Sequence, residues 1–224
     1  MTGRTEAVNR YLPILVASIC AACAPLTKEP ANLSDLKAEV TAYADSGDYE
    51  RDLAASVSAA GTYLEARSRM GGEKLTAIFD IDETVLSNLR HMKEADWGYQ
   101  SKNWNRWVAE ADGPALVPVR SVYNTAIANN IRVVFLSGRT EAERAATARN
   151  LRLQGMGKYD KLILRPNGGP GKFEKAVVFK TRVRQQLTGQ GHTIIASIGD
   201  QHSDLEGGYA ERTFKLPNPF YKIR

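Results

Sequence analysis

Four short apolar runs, separated by helix-length segments and ending in polar residues, constrain this chain more than any other feature. They are residues 75–81 (LTAIFDI), 131–137 (IRVVFLS), 161–164 (KLIL) and 193–198 (TIIASI). A run without alternating polarity suits a strand buried on both faces, as in a parallel sheet. Residues 117–130, 140–154 and 171–187 read as helices, and Thr140 with Glu143 fits a capping box. Strands alternating with helices of this length predict an α/β fold, a parallel sheet covered by helices on both faces. In such sheets ligands bind beyond the carboxyl ends of the strands. Those ends carry Asp80 and Asp82, then Ser137, Gly138 and Arg139, and finally Asp200 and Asp204. Together they predict one shared site.

The flanking segments complete the organisation. Residues 31–71 predict two helices packing on the core, with Ser34 as N-cap, Gly47 as the break and Leu53, Val57, Tyr63 and Leu64 as an apolar stripe. With 43% hydrophobic and 25% charged residues, the chain is too apolar to be disordered. Its net charge of +5 contains no basic run, so no nucleic-acid polymer is expected as a partner. The first residues differ from the rest. Arg4 and Arg10 precede the apolar segment 11–24, which is too short to span a bilayer and has the form of a secretory signal. Both cysteines, Cys20 and Cys23, lie in it, so the body has neither a disulfide nor a cysteine metal site. Ala21-Ala22-Cys23 resembles the end of a bacterial lipoprotein signal, although Cys20 stands where leucine is usual. Residues 1–23 are therefore read as a signal, with export to the periplasm or outer membrane through acylation at Cys23, or simple secretion. A lipid on Cys23 would be the membrane link.

Clustered carboxylates repel. Two charges about 4 Å apart cost about 4 kcal/mol at an effective dielectric of 20, so such a group needs a cation or a proton. All-oxygen ligation points to magnesium, which takes one or two carboxylates and a substrate phosphate. Familiar phosphate loops are missing. Residues 168–172 are glycine-rich, but Pro166 and Phe173 replace the glycine and hydroxyl residue of a P-loop.

Four motifs in order then resemble the phosphatases of the haloacid dehalogenase (HAD) superfamily. They are Phe79-Asp80-Ile81-Asp82-Glu83-Thr84, Phe135-Leu136-Ser137-Gly138-Arg139, Lys180 within Val177-Val178-Phe179-Lys180-Thr181, and Ile198-Gly199-Asp200 through Asp204. Residues 82–88 and 214–219 are similar to the wording of the subfamily IIIB acid phosphatases, which include bacterial lipoprotein phosphatases and plant vegetative storage proteins. The resemblance implies a HAD-like Rossmannoid core over residues 72–224 with a small cap at about 86–116. It implies a magnesium-dependent acid phosphatase acting on small phosphomonoesters, or a catalytically weak storage or binding protein of the same fold. Asp80 would be the nucleophile and Asp82 the general acid and base, with Thr84 positioning Asp82. Ser137, Gly138 and Lys180 would hold the phosphoryl group. Asp80, Asp200, Asp204 and the backbone of Asp82 would face the metal. Arg139 and Arg184 are open between phosphate binding and structural ion pairing, and His202 is expected at an exposed helix start. Trp97, Trp104 and Trp107, with Tyr99, either pack the cap or wall the substrate, which would favour nucleoside monophosphates.

Overall fold

In the computed structural model, the described residues are Thr2, 30–168 and 174–223. The signal segment with Cys20 and Cys23, and residues 169–173 of the glycine-rich loop, lie outside them. Residues 33–224 form one compact unit. Its sheet has strands β1 (Leu75–Phe79), β2 (Arg132–Thr140), β3 (Lys161–Arg165), β4 (Thr193–Gly199) and β5 (Arg212–Lys215). All pair in parallel in the order β3-β2-β1-β4-β5, which sets β1 at the centre.

Seven helices accompany the sheet among the described residues: α1 (Leu33–Asp45), α2 (Asp48–Arg69), α3 (Leu89–Glu94), α4 (Ser101–Glu110), α5 (Val117–Ala128), α6 (Arg144–Leu153) and α7 (Ala176–Gly189). Successive strand residues point to opposite faces. Ala77 and Phe79 therefore join the larger core with Leu53 and Leu64 of α2, Val119 and Tyr123 of α5 and Leu151 of α6. Ile78 points the other way, to a second core with Phe179, Val183 and Leu187 of α7. Both faces are covered, as a sheet of continuous apolar strands requires. No helix among the described residues is long and apolar enough to cross a membrane.

Local differences from the sequence reading have physical causes. Helix α1 begins at Leu33, so Ser34 lies inside it and is not its N-cap. Gly47 does break α1 from α2, with φ of 84°. Tyr63 is half-buried because its hydroxyl bonds Glu211 at 3.0 Å, and Ala60 completes the buried stripe of α2. The β2 strand runs on to Thr140; the capping box of Thr140 and Glu143 then starts a short 3-10 turn before α6. The α7 helix begins at Ala176, five residues after the expected start. Strand β5 escaped the pattern because it is an edge strand in which only Phe214 is buried.

Candidate active site

The loop after β1 turns so tightly that the carbonyl of Ile81 accepts N–H groups from Thr84, Val85 and Leu86. Glu83 sits there at φ 52°. Just before it, Asp80 N–H still donates to Ile198 O of β4 at 3.0 Å, so Asp80 is fixed by the sheet itself. Its Oδ1 lies 2.5 Å from Lys180 Nζ, and the same ammonium reaches Asp204 Oδ1 at 2.5 Å. One oxygen each of Asp80, Asp200 and Asp204 falls within a 4.8 Å group, and all three residues are buried. Three carboxylates against one ammonium leave an unbalanced negative site of hard oxygen donors. That set fits a divalent cation such as magnesium.

The electrostatics follow from burial. Burial drives the Asp80 carboxyl well above the usual range; Lys180 opposes this, while Asp204 and Asp200 add to it. Burial and Asp204 likewise raise Asp200. Lys180 goes upward because Asp204 and Asp80 outweigh its burial.

Each acidic group is held from behind. Asp200 Oδ1 accepts the Thr84 hydroxyl at 3.0 Å, and its Oδ2 accepts Gln201 Nε2 at 2.6 Å and Asn218 Nδ2 at 2.7 Å. Thr84 thus orients Asp200, and the expected contact with Asp82 is not made. Asp204 Oδ2 accepts Gln201 N–H at 2.8 Å. Arg184, fully buried, donates to the carbonyls of Asp204 (2.8 Å), Gly208 (2.9 Å) and Glu206. It binds neither carboxylate nor open cavity; it clamps the loop that carries Asp204.

The Asp82 carboxylate stands apart from the three-carboxylate group. Arg139 forks onto it, with Nη2 at 2.7 Å and Nε at 3.1 Å, which settles Arg139 as its ion-pair partner. Burial opposes ionisation here, but the Arg139 guanidinium and the Asn88 amide win and hold Asp82 below the usual carboxylate range. Asn88 is saturated: Nδ2 donates to Asp82 (2.9 Å) and Glu83 (3.0 Å), and Oδ1 accepts Trp107 Nε1 at 2.7 Å. Burial and the charge of Asp82 push Glu83 up to about 8, and it accepts the Tyr221 hydroxyl at 2.9 Å. Asn88 and Asn218 stood in the family wording, but only the fold reveals what they hold.

A cavity of about 690 Å3 opens over these groups, lined by Asp80, Asp82, Gly138, Arg139, Lys180 and Asp204 within and by Trp97, Tyr99 and Trp104 further along. Ser137 is fully buried beside it; its hydroxyl accepts Arg139 N–H at 3.2 Å, and the lining begins at Gly138. The tryptophans divide. Trp107 is buried, stacks on His91 at 5.7 Å and does not line the cavity, so it packs the insert. Trp104 lines the wall with Nε1 bound to Glu143 at 3.0 Å. Trp97 stacks on Phe220 at 5.4 Å, and Phe220 meets Tyr49 edge-on at 5.0 Å. The segment 220–223 thereby lines the cavity as well, with Ile223 N–H on Gln201 Oε1 at 3.0 Å. His202 is exposed beside Glu206 at 3.8 Å, the helix-start position expected of it.

A parallel sheet with β1 central, and acidic residues gathered on a lysine at its carboxyl ends, define a HAD-like protein. Residues 13–224 match the family described as HAD superfamily, subfamily IIIB (Acid phosphatase), and the chain belongs to it. It is 40% identical over 167 residues to the stem 28 kDa glycoprotein of Glycine max, covering 72% of this chain and 65% of that protein. With acid phosphatase 1 of Solanum lycopersicum it shares 33% identity over 78% of this chain and 69% of the relative. With vegetative storage protein 1 of Arabidopsis thaliana it shares 35%, covering 65% of this chain and 54% of that one. The chain thus spans between about half and two-thirds of the length of these plant relatives. The fold is similar to that of the class C acid phosphatase from Bacillus anthracis, with a TM-score of 0.68 at 22% identity, covering 84% of this chain and 86% of that one.

Proposed function

We propose that this protein is a magnesium-dependent acid phosphatase that hydrolyses small phosphomonoesters through an aspartyl-phosphate. The observation that carries the reading is Asp80, fixed by the central strand 2.5 Å from Lys180, with Asp82 presented separately by Arg139. An Asp80 oxygen attacks phosphorus as the bond to the leaving oxygen breaks, and Asp82, which must first take up a proton from solvent against the pull of Arg139, gives that proton to the leaving oxygen. Asp82 then takes a proton from water, whose oxygen attacks the same phosphorus and releases Asp80 and inorganic phosphate. Arg139 favours the ionised carboxylate that this second step needs. Lys180 and the Gly138 backbone hold the transferring oxygens, with Ser137 shaping the loop. Asp80, Asp200 and Asp204 would hold magnesium, which when bound offsets charge on the phosphoryl oxygens.

In the finer reading, the leaving group lies along Trp97, Tyr99 and Trp104, which favours nucleoside monophosphates. Export, with acylation of Cys23 as the anchor, completes the reading, as does a domain plan of signal, N-terminal helices and a core over 72–224 capped at about 86–116. A storage protein of the same fold is the second reading, favoured by the similarity to vegetative storage proteins.

Turnover of p-nitrophenyl phosphate decides between them. We expect chelation by EDTA to lower it at least about 100-fold and magnesium to restore it, with Asp200→Asn needing more magnesium for half-restoration. No turnover of any phosphomonoester at saturating magnesium would favour the storage reading; full turnover after exhaustive chelation would exclude the metal.

The tryptophans supply a second expected outcome. Stacking of a base is worth about 1–3 kcal/mol, so Trp104→Leu should lower kcat/KM for nucleoside monophosphates about 5- to 150-fold while glycerol phosphate loses little. Trp107→Leu should instead lower Tm without selectivity among substrates, because its indole holds Asn88. Equal losses on all substrates for Trp104→Leu would reject the nucleobase wall.

A further inference from the structure

Arg139, Arg165 and Lys180 all line the cavity, and two of the three are already neutralised. Arg139 is forked onto Asp82, and Lys180 lies between Asp80 and Asp204. Arg165, the last residue of β3, differs. Its Nη1 donates to the Glu174 carbonyl at 2.6 Å, but the Glu174 carboxylate is taken by Arg182. Among the described residues no carboxylate pairs with Arg165. The other basic residues of the lining offer no equivalent: His91 is stacked on Trp107, and Lys222 stands exposed.

The position of Arg165 is fixed. Its guanidinium carbon lies 5.3 Å over the ring of Phe179, the residue before Lys180. A Cβ built on Gly138 would fall 3.9 Å from its Nε, so the side chain lies along the loop that follows Ser137. It is half-buried, and burial holds it below the usual arginine range. The Glu174 carboxylate acts against that burial from a distance, but Arg182 holds it; a charge partly withdrawn from water with only a shared counter-charge is costly unless a ligand supplies another. The planar fork of arginine suits phosphate and carboxylate, which accept two parallel hydrogen bonds.

We propose that Arg165 receives a second anionic group, a phosphate or a carboxylate, carried on the leaving alcohol of the substrate. Among substrates whose leaving group offers no ring to stack on Trp97 or Trp104, the site then takes phosphomonoesters with a second anionic group in preference to those whose leaving group is neutral. The inference rests on the phosphomonoesterase reading above and names the class of substrate for that site.

Three probes test it: glycerol 3-phosphate, 3-phosphoglycerate and 1,3-propanediol bisphosphate, each with excess magnesium. A charge-assisted hydrogen bond is worth about 1.5–3 kcal/mol, so the wild type should prefer at least one of the two doubly anionic probes by about 10- to 100-fold in kcat/KM. Which of the two is preferred tells a phosphate from a carboxylate. Arg165→Gln should bring the preference near one, mainly through KM, and Arg165→Lys should keep part of it. A wild-type ratio near one overturns the proposal, as does a ratio that Arg165→Gln leaves unchanged. Equal losses on all three probes overturn it too, since Arg165 would then serve the transferring phosphoryl group. Calorimetric binding of the same probes to Asp80→Asn, with and without Arg165→Gln, separates the two readings. A wild type that turns over nothing, combined with an Arg165-dependent binding difference, rejects the phosphatase and retains the anion site.

Discussion

The Asp80→Asn variant is expected to lose phosphatase turnover by about 10⁴- to 10⁶-fold, the range seen when a nucleophile or its partner is removed. It should keep its fold. Asparagine fills the same space between β1 and β4, while the charge it removes is one that burial already disfavours. Repulsion with Asp200 and Asp204 also disappears. Thermal unfolding without metal should therefore occur at the same Tm as wild type or above it, an exchange of activity for stability. Acid-quenched wild type should carry a phosphoryl group on Asp80, and the variant should carry none. Near-normal hydrolysis by Asp80→Asn would sink the covalent mechanism.

Lys180→Met should also silence the enzyme, but with the opposite effect on stability. The ammonium bridges two buried carboxylates at 2.5 Å each. Removing one partner of a buried pair typically costs about 3–5 kcal/mol, because the remaining charge is left uncompensated. The Tm should fall sharply in EDTA and recover in part when magnesium supplies positive charge to the three carboxylates. Turnover should drop by at least about 10²- to 10³-fold, as when a donor to developing phosphoryl charge is lost. Two substitutions at one ion pair thus move stability in opposite directions. A Tm of Lys180→Met equal to wild type in EDTA would contradict the electrostatic account.

How much was legible in the sequence follows from how local each signal is. An apolar run and the aspartate that ends it are neighbours in the chain, so β1, β4, Asp80 and Asp200 could be read together. The capping box at Thr140 is equally local. Strand β5 carries one buried residue, too few for any period. Partners that folding brings together were invisible: Thr84 reaches Asp200 across 116 positions, and Tyr221 reaches Glu83 across 138. The chemistry of a tryptophan does not say which of three neighbours faces a cavity and which faces Asn88. Arg139 and Arg184 are alike by residue type. One meets a carboxylate and the other meets three backbone carbonyls, a distinction that only their surroundings make.

The position of the segment 220–223 decides how the protein is best handled. Phe220 is wedged against Trp97 and Tyr49, and the residues after it form part of the cavity rim. Bulk attached to a side chain of residues 220–223, such as a dye, would sit in the cavity wall beside Asp80 and Lys180. A bulky label there would fill the cavity or pull Phe220 away from Trp97 and Tyr49. The turn between α2 and β1, where Met70 is 78% exposed, lies at the amino ends of the strands on the far side of the sheet from the rim. That turn is the place to attach a dye or tether the molecule to a surface.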